Sequence, residues 1–171
     1  MEDSMVNMLF AADLVGYILK HKNLEWESTN QIQDFRGELK ESPFKNEIGL
    51  AIVLIIESNS SQIEQCYKNL QDDKIQYKEE FGRCALEAAH LYFEDGYSPG
   101  SFLGYCAMIV GVTALFNCYP SNRIPDCASE ILALVLTSHQ LTGEFNKHGG
   151  WNGLFNISKA FCEVSKEKDS S

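Results

Sequence analysis

The residues Gly96-Tyr97-Ser98-Pro99-Gly100 spell G-x-S-x-G, the spacing at which a strand-to-helix turn can raise a serine hydroxyl for nucleophilic attack. His139 or His148 would then serve as base and Asp126 as the orienting carboxylate, which would make Ser98 the centre of an acyl-transfer enzyme. A second set is Glu87 and His90, an i, i+3 pair of the kind that carboxylate di-metal bundles use twice, together with two further inward glutamates. Neither HExxH nor a zinc-type cysteine and histidine spacing occurs, and the glycines form no phosphate-cradling pattern.

Each chemistry demands elements that the surrounding residues do not offer. A nucleophile elbow needs a strand before its serine, whereas Ala88 to Glu94 read as helix and no alternating strand pattern appears anywhere. The motif therefore reads as a helix-to-helix turn with two flexible glycines, and hydrolysis through Ser98 is kept only as an alternative. Only one Glu-x-x-His pair exists, which places His90 on the wet or boundary side of its helix. No catalytic residue, metal or cofactor is expected.

The periodicities predict an all-α chain of one domain, residues 1–171. From Gly96 to Asn122 there is no Asp, Glu, Lys or Arg, and Phe102 to Phe116 is apolar on every side, so this helix must be wrapped by others or by lipid. Pro99 and Ser101 at one end and Asn117, Pro120 and Ser121 at the other leave roughly 15 good residues against the ~20 that a span needs. That favours a buried core helix.

Around it, residues 1–22 hold an amphipathic first helix with Leu9, Leu14, Ile18 and Leu19 inward and Asp13 and Lys20 outward. Residues 23–42 read as a loop ending at the Ser42-Pro43 helix start. Residues 43–165 make the helical core, beginning with Ile48, Ile52, Ile56, Ile63 and Tyr67 on one helix expected to run through Ser58 to Ser61, four poor helix formers where a break is the alternative. Tyr77, Phe81, Ala85, Ala88 and Tyr92 form the next face, capped at Gly96. After Pro125, Ile131 to Leu136 predict a second apolar helix that pairs with the central one as a buried antiparallel hairpin, and Trp151 to Cys162 a last helix, with 166–171 frayed.

A net charge of -10, from 24 acidic and 14 basic residues, argues against nucleic-acid and anionic-membrane partners, which need clustered Lys and Arg. The six cysteines, at 66, 84, 106, 118, 127 and 162, form no CxxC pair and sit in apolar helical stretches. They read as reduced thiols of an intracellular protein. Glu2 and Asp3 stand where a signal peptide would be basic, so the two N-x-S sequons at Asn59 and Asn156 are expected to be idle.

Four places carry a resemblance to the Bcl-2 family of apoptosis regulators. His148-Gly149-Gly150-Trp151-Asn152-Gly153-Leu154-Phe155 resembles the second homology region. Asp95-Gly96 followed by Gly100 before an apolar helix resembles the first, with Ser98-Pro99-Gly100-Ser101 standing where the family has Asn-Trp-Gly-Arg. Asp13-Leu14-Val15-Gly16-Tyr17-Ile18-Leu19, with Lys22 and Trp26, is similar to the fourth. Ile56, Ser60-Ser61, Ile63 and Tyr67 match the spacing of the third.

The resemblance implies a bundle of about eight helices around Phe102 to Phe116, acting by protein binding rather than catalysis. It implies a hydrophobic groove for the Bcl-2 homology 3 helix of a pro-apoptotic partner. The matching positions are Ile52, Ile56, Ile63, Tyr67, Ala88, Leu91, Tyr92, Gly104 and Met108, with Ser98, Gly100 and Ser101 at the first-region turn. Gly149, Gly150 and Trp151 carry the structural motif.

Two departures shape the expected function. The family's arginine is Ser101 here and its third-region aspartate is Ser61, so a charge-assisted anchor of ~1.5–3 kcal/mol is missing and partner choice should be narrow and apolar. The chain ends in Lys166 to Ser171 where cellular survival members carry a membrane span. The expectation is a divergent viral inhibitor of apoptosis in the host cytoplasm, reaching mitochondria through its partners. The alternative within the fold is a pore-forming killer, and a homodimer is left open.

Overall fold

The computed structural model describes residues 2–39, 41–72, 78–116 and 123–170, and among them every regular element is helical. In chain order these are α1 (Glu2–His21), α2 (Asn30–Glu38), α3 (Asn46–Ser58), α4 (Ser60–Asp72), α5 (Lys78–Tyr92), α6 (Pro99–Phe116), α7 (Ile124–Leu141), α8 (Glu144–Lys147) and α9 (Gly150–Asp169). The predicted Tyr77, Asn117, Cys118, Pro120 and Ser121 lie outside the described residues.

The uncharged helix is the axis. Phe102, Leu103, Tyr105, Cys106, Ile109 and Val110 point in different directions around α6 and all are buried, because α3, α4, α5, α7 and α9 each pack against it. With little face left for water beyond the half-buried Gly104 and Met108, α6 needs no polar stripe. Its buried hydroxyl, Thr113, is satisfied within the helix by donating to the Ile109 carbonyl at 2.7 Å.

The first helix lies along α7 and is fixed there by polar as well as apolar contacts. Asn7, fully buried, donates to Thr137 Oγ1 at 2.9 Å and to Gln140 Oε1 at 2.6 Å, and accepts from Gln140 Nε2 at 3.1 Å. A buried amide with its bonds made specifies one register of α1 on α7. At the other end Trp26 Nε1 donates to Asp126 Oδ1 at 2.9 Å, and Arg123 meets the other oxygen at 2.6 Å. The residue pair that ends the fourth-region likeness is thus partly a strap onto α7.

Four expectations need correction. Residues 23–42 are not all loop: α2 forms there because Ile32, Phe35 and Leu39 find Leu9 and Ala12 on the outer side of α1, with Arg36 bonded to Asp13 at 2.7 Å. The helix expected from Pro43 starts at Asn46 instead, since the Ser42 hydroxyl accepts from Phe44 N in a turn (3.2 Å). The long helix is two, broken at Asn59, where Ser58 Oγ and Asn59 Nδ2 donate to the Leu54 and Ile55 carbonyls (2.9 and 2.8 Å). Short polar side chains compete with the backbone in this way and end helices.

Helix α7 packs on α6 and also, more broadly, on α1 and α5. The tail is also more regular than expected, with α9 continuing to Asp169. Lysines 166 and 168 in its last turn oppose the negative end of the helix dipole.

Candidate helix-binding cleft

Helices α4 and α5 both lean on α6 but make little contact with each other among the described residues. Between them lies a cleft of about 340 Å³, lined by Ile55 of α3, Asn59 at the α3–α4 break, Gln62 and Ile63 of α4, Tyr92 of α5, and Gly104, Ala107 and Met108 of α6. None of these side chains carries a charge.

The floor is legible in the residues of α6. Gly104, Ala107, Met108 and Gly111 share one helical face, three of them small. A Cβ on Gly111 would stand 2.9 Å from Ile63 Cδ1 and 3.5 Å from Ile56 Cγ1, so the missing side chain is what lets α3 and α4 settle on α6. A Cβ on Gly104 would stand 3.5 Å from the Tyr92 ring, an ordinary contact, so the space over Gly104 is open.

The Tyr92 wall is held from behind. Its ring meets Tyr105 edge-on at 5.6 Å, and Tyr105 Oη donates to the Ala85 carbonyl at 2.6 Å, tying α6 to α5. Burial, and after it the neighbouring Cys66, push the Tyr92 phenol above its ordinary value. Burial, and after it Cys84, push the Cys66 thiol up as well. The cleft wall therefore stays neutral at physiological pH.

The predicted groove positions divide into three groups. Ile63, Tyr92, Gly104 and Met108 line the cleft. Ile52, at 0% exposure, and Ile56, at 5%, are core in this conformation, Tyr67 packs edge-on against Phe116 at 4.8 Å, and Ala88 is half-buried against the core. Leu91 is 77% exposed and stands outside the lining. Ile55, Asn59, Gln62 and Ala107 line the cleft without having been predicted. Ala107 was legible as the middle of the small-residue face, but Asn59 and Gln62 turn toward the cleft only because the helix breaks there.

Ser98, Gly100 and Ser101 sit at the start of α6. Ser98 Oγ accepts the Ser101 backbone N–H at 3.1 Å and donates to Ser101 Oγ at 2.9 Å, while its carbonyl accepts from Phe102 N. The serine is the N-cap of α6 with proline following at the first position, which is a structural use of its hydroxyl. Asp126 is engaged by Trp26 and Arg123, and His148 Nδ1 lies 2.9 Å from the Glu144 carbonyl. His139 lies among Phe93 and Tyr97, its ring 4.3 and 5.0 Å from theirs, and burial lowers its pKa despite the opposing effect of Glu144.

Glu87 turns to Arg83 at 2.8 Å, and no group of three His, Cys, Asp or Glu among the described residues could hold a metal ion. The Gly-Gly-Trp segment has a clear local cause. Gly149 and Gly150 take φ of 92° and 58° to turn the chain from α8 into α9, and a Cβ on Gly153 would collide with the His148 carbonyl oxygen. The turn delivers Trp151 between Phe10 and Phe145, 4.8 and 5.1 Å away. Compared with family models, with curated proteins and with solved structures, the chain matches none.

Proposed function

We propose that the chain is a pro-survival protein of Bcl-2-like arrangement, a divergent viral form acting in the host cytoplasm, which sequesters the amphipathic helix of a death-promoting partner in the cleft between α4 and α5. The observation that carries this reading is the cleft itself: an uncharged opening over a small-residue face of the most buried helix. Apolar anchors at i, i+3 or i+4 and i+7 suit such a floor. The four sequence likenesses add to it in an order that follows the helices, with the fourth region in α1, the third across the α3–α4 break, the first at the α5–α6 turn and the second at the α8–α9 turn.

The cleft takes one or two side chains as it stands. Seating further anchors means parting α4 from α5, the two walls with little mutual contact, which exposes the surfaces now closed over Ile56 and Ile63. One turn before Gly104, where the family resemblance would put a cation, Ser98 and Ser101 bond to each other. Nothing there rewards a partner's carboxylate, so recognition rests on apolar fit and is narrow.

Titrating labelled Bcl-2 homology 3 peptides from a panel of pro-apoptotic proteins tests this. One or a few should bind, and Gly104→Trp should weaken them by ~30–150-fold, the 2–3 kcal/mol of a lost central anchor, without changing the unfolding transition. Binding of no peptide would end the reading, and nanomolar binding of all would end the claim of narrow choice. A second reading, a pore-forming killer, draws on α6, whose 18 residues are long and apolar enough to cross a membrane by composition. Dye release from liposomes would favour it.

A further inference from the structure

We propose that the furrow between α5 and α7 is a second docking site, for a basic segment of a partner protein that carries one apolar anchor. The furrow shares α5 with the cleft described above but uses another face of that helix. Gly82 brings the two helices together, since a Cβ there would stand 3.0 Å from Cys127 Sγ and 3.7 Å from Ile131 Cδ1. Beside this contact an open depression of about 510 Å³ remains, with Gly82, Leu86, Cys127 and Ile131 in its lining. Leu86 is 37% exposed, and Leu134, next along the same face of α7, is 54% exposed, so an apolar strip is presented to solvent.

The rim identifies the occupant. Arg83 is held by Glu87 at 2.8 Å and cancels it. Glu79 on α5 and Glu130 on α7 also line the furrow, and neither takes part in an ion pair among the described residues. The opening therefore has an apolar bottom and an excess of two carboxylates, matched by an apolar side chain flanked by Lys or Arg. Nucleic acid and anionic lipid have the wrong sign. A second copy docked by the same face would set Glu79 and Glu130 against themselves in a two-fold interface, adding repulsion to a chain of net charge -10. Electrostatic steering by an acidic surface favours capture of a cationic segment.

A short labelled peptide with one leucine flanked on both sides by arginines provides the probe, with the arginine-to-glutamate version as control. Anisotropy titrations should show micromolar binding that weakens steeply with salt. The Glu79→Lys/Glu130→Lys variant should lose about tenfold in affinity. Gly104→Trp should leave this binding unchanged, which separates failure here from failure of the Bcl-2-like reading. Methyl NMR shifts should concentrate on Leu86, Ile131 and Leu134. Absence of binding, equal binding of the glutamate peptide, insensitivity to the double charge reversal, or shifts centred elsewhere would each overturn the proposal. Both glutamates are exposed, so the variant is expected to fold, and a matching thermal transition verifies it.

Discussion

The two openings on either side of α5 are built from opposite kinds of surface. Toward α4 and α6 the helix contributes Tyr92 to a cleft without one charged residue, and the facing floor is Gly104, Ala107 and Met108. Toward α7 it contributes Glu79, Arg83, Glu87 and His90 to a furrow whose bottom alone is apolar. A surface of the first kind discriminates by shape, because a misfitting partner leaves voids or clashes. A surface of the second kind attracts from a distance and is weakened by salt. One helix can thus serve two recognitions that respond to different variables, and perturbing its neighbours should affect them unequally.

The largest expected effect is on the shape-built side. Gly111→Val would force the Ile63 and Ile56 side chains away from α6, where a single Cβ is already 2.9 Å from Ile63 Cδ1. Overpacking of this kind costs about 1–3 kcal/mol, and the upper half of that range is expected because α3 and α4 both rest on the spot. Urea unfolding measures the loss, and helix-peptide titration should show weakened binding while the arginine-flanked peptide binds as before. A loss under about 0.5 kcal/mol would mean that the α4 wall is not seated as described.

Tyr105→Phe comes next and should touch both openings, since the phenol ties α6 to the α5 backbone that they share. Removing it leaves the buried Ala85 carbonyl without the 2.6 Å bond, at a cost of about 1–2 kcal/mol by thermal or urea unfolding. Burial pushes the Tyr105 phenol well above its ordinary value, so it remains the donor throughout the usable pH range and the loss should be pH-independent from neutral to mildly alkaline conditions. A cost that vanished at pH 9 would show the phenol to be solvated.

Much of this architecture could be read from residue types alone, and the parts that could not have identifiable causes. The central position of α6 follows from a run without charge, which only an enclosed helix tolerates. Helix α2 was not legible because its two apolar residues, Ile32 and Phe35, are too few to predict a helix in polar surroundings, and its stability comes from Leu9 and Ala12 far earlier in the chain. For the cleft, spacing puts Ile52, Ile56 and Ile63 on an inward face but cannot say how far neighbouring helices close over them. Tyr92, Gly104 and Met108 fall at the opening because they lie where α4 and α5 diverge. The α5–α7 furrow left no mark in the sequence, as Gly82 sits among charges and its purpose appears only when Cys127 is seen against it.

The finest test compares one substitution at two glycines. Glycine inside a helix costs about 0.5–1 kcal/mol relative to alanine, so Gly→Ala should stabilise wherever a methyl finds room. At Gly104 the new Cβ would lie 3.5 Å from Tyr92, and Gly104→Ala should gain most of that amount. At Gly82 the Cβ would lie 3.0 Å from a buried sulfur on another helix, and the push between α5 and α7 should cancel the gain or reverse it. Paired unfolding curves measured in one buffer resolve the difference. Equal stabilisation by both alanines would mean that α5 is not drawn against α7 at Gly82, and the acidic furrow would then lack the fixed wall that its recognition of a cationic segment requires.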